Sequence, residues 1–141
     1  MNVFLDANVL VSVLNKEYPL FGFNARILSL ADNRRFKLFT SPICLAIAFY
    51  FSEKKSGTRL AKTKIELIAG KIDIALVDKQ TVLFALHNKK VHDLEDGMQF
   101  YAAKKAGCQV IVTSDTEDYY FSDIEILKPK QFLDKYVLKQ C

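Results

Sequence analysis

Five short apolar runs alternate with longer helical patterns, and this alternation limits the fold more than any other feature of the chain. The runs are VFL at 3–5, FKLFT at 36–40, IDIALV at 72–77, QVIVTS at 109–114 and EIL at 125–127. They are apolar and partly β-branched, as strands covered on both faces are, without the strict alternation of a half-wetted sheet. Helical patterns occupy 8–16, 23–34, 42–53, 58–70, 79–90, 94–106 and 130–138. Strands alternating with helices imply right-handed crossovers and an α/β fold, a mostly parallel sheet with helices on both faces. Most crossovers hold two helices. Pro42 is suited to a first helical turn, and Thr58 and Asp78 to N-caps. Gly107 stands where a helix would end in a left-handed residue. SEKKSGT, Ser52 to Thr58, reads as the best loop.

The chain has 141 residues, half of them apolar and 12% aromatic, which supports one domain over 1–141 and is too apolar for disorder. The longest apolar run, ICLAIAFYF, is too short to span a bilayer, so no membrane partner is expected. Its part at 43–51 reads as core before interface. MNVFLD has no basic lead into a long apolar segment, and no signal peptide is expected. Cys44, Cys108 and Cys141 lack metal-type spacing, and an odd number suits a reducing cytoplasm. The net charge is +4. Lys54, Lys55, Lys62 and Lys64 would suit a polyanion, or equally a solvated helix face.

Against that basic balance, carboxylates gather beside the apolar runs. Asp6 follows VFL directly, Asp115 follows VIVTS, and Asp93 and Asp96 open the helix before QVIVTS. Sites in open parallel sheets form outside the carboxyl ends of the strands, so three distant places in the chain converge on one edge. Each acid has a plain structural reading: Asp6 as an N-cap, Asp93 and Asp96 as complements to a helix dipole, Asp115 as a turn cap, Asp118 as surface. Together they repel: two unit charges at 4 Å cost roughly 4 kcal/mol at an effective dielectric of 20. A divalent cation relieves this, and an all-oxygen set without His or Cys suits Mg²⁺ or Mn²⁺ rather than Zn²⁺. Such an ion meets phosphate oxygens, lowers the pKa of a bound water and assists displacement at phosphorus.

VFLDANVLVSVL, LFTSPICLAIAFYF and DLEDGMQFYAAKKAGCQVIVTSDTEDY together resemble the PIN domain family of metal-dependent ribonucleases, over nearly the whole chain. Many members are toxins of bacterial toxin–antitoxin pairs. The resemblance implies a single PIN-like domain with a five-stranded sheet of order 3-2-1-4-5. It makes Asp6, Asp96 and Asp115 the catalytic metal ligands and Asp93 and Asp118 auxiliary acids. Asn8, Thr113 and Ser114 take the places of small polar supports. The ion implied is Mg²⁺ or Mn²⁺, weakly bound. The expected partners are single-stranded RNA, an antitoxin-like protein and a second copy in a homodimer. One departure stands out: the family carries an acid, or in some branches an Asn, on the helix after the second strand. Here Ile47 or a neighbour holds that place. The nearest acid, Glu53, lies 11 residues beyond Pro42, roughly 16 Å along a helix.

Other readings compete. A haloacid dehalogenase-type phosphatase needs a second acid two residues after Asp6, where this chain has Asn8. A phospho-receiver domain needs an acidic pair after its first strand, where only Asp6 stands. The remaining alternative is a degenerate PIN module that binds RNA or a protein without cutting.

Overall fold

The computed structural model describes residues 1–138. One five-stranded parallel sheet forms its centre, built from β1 (Asn2–Leu5), β2 (Lys37–Thr40), β3 (Asp73–Ile74), β4 (Val110–Val112) and β5 (Glu125–Leu127) in the order β3-β2-β1-β4-β5. The central strand is the most apolar: Val3, Phe4 and Leu5 are fully buried, as are Val110, Ile111 and Val112 beside them. Burying side chains of this size contributes about 1.5–3 kcal/mol each, which sets the register Val3–Val110 and Val3–Leu38.

Paired helices fill three crossovers, as the sequence implies. α1 (Ala7–Leu14) and α2 (Leu20–Ser29) join β1 to β2; α3 (Pro42–Ser56) and α4 (Thr58–Lys71) join β2 to β3; α5 (Lys79–His87) and α6 (Leu94–Lys105) join β3 to β4. A 3₁₀ turn (Thr116–Tyr119) leads to β5, and α7 (Pro129–Phe132) continues as a π-helical turn to Val137. Among the described residues no helix is long and apolar enough to cross a membrane. Cys44 and Cys108 are free and buried; Cys141 lies outside the described residues.

The local expectations are met at Pro42, in the first turn of α3, and at Asp78, whose side chain accepts from Thr81 N in a reciprocal capping box. Gly107, with φ of 73°, ends α6. Two expectations fail together. Residues 52–58 are not a loop: α3 runs to Ser56, and the break is Gly57 alone, at φ 85°. Thr58 therefore begins α4 instead of capping it, and its hydroxyl donates to Glu53 at 2.8 Å. A buried Ser52 and lysines favourable to a helix C-terminus carry α3 through a stretch whose composition looks like loop. The 43–51 run, read as core, divides by helical phase. Cys44 and Ala48 are fully buried, whereas Tyr50 and Phe51 are 50% and 45% exposed.

Candidate active site

The carboxyl ends of β1, β2 and β4 are tied side by side. Asp6 N donates to Val112 O at 3.0 Å, and Thr40 Oγ1 donates to Leu5 O at 3.0 Å. The turn after β1 therefore lies against the turn after β4, and a cleft of about 480 Å³ opens there. Its walls include Asp6, Asn8, Glu95, Asp96, Ser114, Asp115 and Asp118. The structure brings together Asp6, Asp96 and Asp115 in this one cleft, with Asp118 beside them.

Asp6 has two roles at once. Its backbone is the N-cap of α1, and Oδ1 accepts from Ala7 N at 2.8 Å. Oδ2 accepts from the Thr113 hydroxyl at 2.9 Å and the Tyr119 hydroxyl at 3.1 Å, and Cys44 Sγ stands 3.8 Å from Oδ1. Burial raises the Asp6 pKa, and these four donors pull against that rise. Burial and the facing Asp6 charge in turn push the Cys44 thiol up to about 12, so it stays protonated and donates.

Asn8 and Thr113 lock the second acidic turn to the first. Asn8 Nδ2 donates to Thr113 Oγ1 at 3.0 Å and to Asp115 Oδ2 at 3.4 Å, while its Oδ1 accepts from Ser114 N at 3.0 Å. Thr113 Oγ1 also accepts from Asp115 N at 3.1 Å. Thr113 is fully buried, a hub rather than a wall of the cleft, and Ser114 lines it while its own hydroxyl is buried without a protein partner.

The α6 acids divide differently from expectation. Asp93 is the N-cap, and its Oδ1 accepts from Asp96 N at 3.2 Å. The cleft wall is formed by Glu95 and Asp96 instead. Burial, then the charges of Asp93, Asp118, Asp6 and Glu95, push Asp96 up to about 7. Burial and the charges of Asp93 and Asp6 raise Glu95; burial and the charges of Asp115, Glu117, Asp6 and Asp93 raise Asp118. In the sequence Glu95 lies between Asp93 and Asp96, with no sign that it, rather than Asp93, reaches the cleft. Glu17, on the cleft wall, and Tyr119, bonded to Asp6, are further residues that the sequence analysis does not single out. Tyr119 stands immediately after Asp118.

Ile47 lines the cleft from α3, and Glu53 is at the far end of that helix, engaged with Thr58. As a donor set the cleft suits a hard divalent cation: carboxylate, amide and hydroxyl oxygens, and no Lys or Arg on its walls. Among the described residues no three His, Cys, Asp or Glu side chains already stand as a ligand set around one point. The fit is one of chemistry and mutual repulsion.

Comparisons with known proteins agree with this architecture. A family model described as "PIN domain" matches residues 2–117. A protein named ribonuclease VapC1, from Aquifex aeolicus (strain VF5), is 27% identical over 138 residues, covering 95% of this chain and 94% of that protein. Among solved structures, VapBC-1 from nontypeable Haemophilus influenzae superposes with a TM-score of 0.69 at 17% identity, covering 92% of this chain and 99% of that one. VapBC2 from Rickettsia felis, bound to a DNA fragment from its promoter, gives 0.67 at 18% identity, covering 91% and 98%.

Proposed function

Because the chain belongs to the PIN domain family, we propose that it is a divalent-metal-dependent ribonuclease of the toxin type, hydrolysing phosphodiester bonds of single-stranded RNA in the cytoplasm. The observation that carries this reading is the meeting of Asp6, Asp96 and Asp115, from three distant parts of the chain, in one cleft at the carboxyl edge of the sheet. Asp6, Asp96 and Asp115 would hold Mg²⁺ or Mn²⁺, with Asp118 and Glu95 adding charge nearby and Asp93 acting through its cap on α6. The ion supplies neutralisation of the acids and Lewis-acid polarisation of a phosphodiester oxygen. The protein's own part is positioning. Thr113, Tyr119 and Ala7 N–H fix the Asp6 carboxylate, and Asn8 holds Asp115. Burial and the neighbouring acids push Asp96 up to about 7, so a cation in the cleft would compete with its proton near neutrality.

The extensive match to a relative named ribonuclease supports catalysis over the binding-only alternative. VapBC assemblies among the structural relatives support an antitoxin-like protein as partner. A second copy of the chain is the other protein partner proposed. Ile47 in place of an acid leaves less ligand charge in the cleft, so the affinity for either ion should be weak. The test is Mn²⁺-dependent cleavage of mixed single-stranded RNAs, with calorimetric Mn²⁺ titration of wild type and Asp115→Asn. Cleavage and heat lost together in the variant are expected. No cleavage by wild type with Mg²⁺ or Mn²⁺ would overturn the reading.

A further inference from the structure

The cleft lining is of two kinds. Besides the carboxylates, Glu17 among them, Val11, Leu20, Ile47 and Phe51 form an apolar wall. Phe51 is 45% exposed, more than a core ring would be. The α3 backbone beneath it is held, because the Phe51 carbonyl accepts from Asn15 Nδ2 at 3.3 Å and Lys55 Nζ donates to Asn15 O, so α3 is pinned to the end of α1. Ile47 and Phe51 are spaced i, i+4, and Lys54 follows Phe51 at i+3, so one face of α3 leads from the acids past an aromatic ring to a cation. Lys54 Nζ lies 4.4 Å from the centroid of the neighbouring Tyr50 ring, and that ring stands edge-on to Phe51 at 5.2 Å.

We infer that this apolar wall is a nucleobase subsite. Phe51 stacks on one unpaired base of the RNA, against Ile47, Val11 and Leu20, and Lys54 meets a flanking phosphate. The inference rests on the ribonuclease reading for the identity of the ligand. It goes further by naming the residues that demand an unpaired base. The argument is one of covalent connection and charge. A nucleotide ties its base to its phosphate through the ribose, so a cleft that engages a phosphodiester at its carboxylates must either seat the base or exclude it. An exposed aromatic ring on a pinned helix in the same cleft seats it, since every base offers a π-face whatever its sequence. The Lys54 charge beyond the ring complements the polyanion. A base inside a duplex has both faces covered by its neighbours and cannot offer one to Phe51, so paired RNA is excluded on this ground alone.

The test measures binding and cleavage in parallel. A labelled single-stranded oligoribonucleotide, its duplex, and an oligomer of the same length without bases are titrated by fluorescence anisotropy, with Ca²⁺ replacing Mn²⁺. Wild type, Phe51→Ala, Phe51→Leu and Phe51→Trp are compared, and cleavage of the single strand is followed with Mn²⁺. Wild type should prefer the single strand to the duplex and to the base-free oligomer. Phe51→Ala should bind the single strand roughly 5- to 150-fold more weakly, the loss of one stacked base. Phe51→Trp should restore binding and Phe51→Leu should not, because Leu keeps most of the apolar packing but offers no π-face. If Phe51→Ala binds as wild type does, or wild type does not distinguish the base-free oligomer, the subsite is refuted while Mn²⁺-dependent cleavage keeps the ribonuclease reading intact. Phe51-dependent binding without cleavage by wild type has the opposite meaning: the subsite stands and the ribonuclease reading falls. Wild type that binds no RNA at all refutes the subsite and turns the apolar wall toward a protein partner.

Discussion

Replacing Asp96 by Asn should stabilise the metal-free protein, increasingly as pH rises from 3.8 to about 7 and fully above that. In the fold Asp96 is pushed from an ordinary 3.8 up to about 7 by burial and by the charges of Asp93, Asp118, Asp6 and Glu95. An acid whose folded pKa is raised binds its proton more tightly in the native state, so its contribution is fully present below 3.8 and is lost as pH rises through about 7. At about 1.36 kcal/mol per unit the unscreened cost at pH 8 is about 4 kcal/mol. Asp96 is half-buried on the wall of an open cleft, and screening reduces this to about 1–2 kcal/mol. For a chain of this length that corresponds to about 3–8 °C in Tm. The assay is thermal unfolding by circular dichroism in EDTA, at pH 4.5 and pH 8, for wild type and Asp96→Asn. Asn keeps the shape and removes the charge, so the two melting curves should nearly coincide at pH 4.5 and separate at pH 8 with the variant higher. Mn²⁺ at pH 8 should then raise wild type more than the variant, since the ion binds only the folded acids. A separation of the same size at both pH values, or a less stable variant at pH 8, would refute the account of Asp96 as a strained member of an acidic cluster.

Three further outcomes follow from the packing and the caps. Gly97→Ala should destabilise by about 1–3 kcal/mol in urea unfolding, because its Cβ would lie 2.6 Å from Val91 Cγ1 and 2.9 Å from Ala85 Cβ at the α5–α6 contact; helix propensity alone predicts a gain of about 1 kcal/mol, so the sign decides. Asp78→Ala should lower stability at neutral pH and lose its effect in strong acid. The Lys105 hydrogen bond, then the Thr81 cap, holds the Asp78 carboxyl well below its usual range, and stability from a depressed acid is present above that range and lost as pH falls; Tm at pH 7 and pH 2 checks it. Ile47→Glu should lower metal-free stability by about 1–3 kcal/mol while tightening Mn²⁺ binding in calorimetry, since it replaces apolar cover with charge on the cleft wall; unchanged heats would show that this side chain does not reach the ion.

Sequence alone determined the alternation of strands with helices and the strand ends at which acids collect. Those features are local. A run of residues such as Val3 to Leu5 has no choice but to be covered on both faces, and Asp6 and Asp115 sit just beyond such runs wherever the runs pair. Tertiary structure decided which acids reach the cleft, because that depends on helix phase and on partners far along the chain. Asp93 and Glu95 lie two residues apart in the same cluster, yet one caps α6 and the other lines the cleft. The Tyr119 hydroxyl finds Asp6 across 113 residues, and no local pattern announces that bond. The α3 run from Ile43 to Phe51 is almost uniformly apolar, so its composition carries no phase. Only packing against α1 and α4 turned Cys44 and Ala48 to the core and left Phe51 at the cleft.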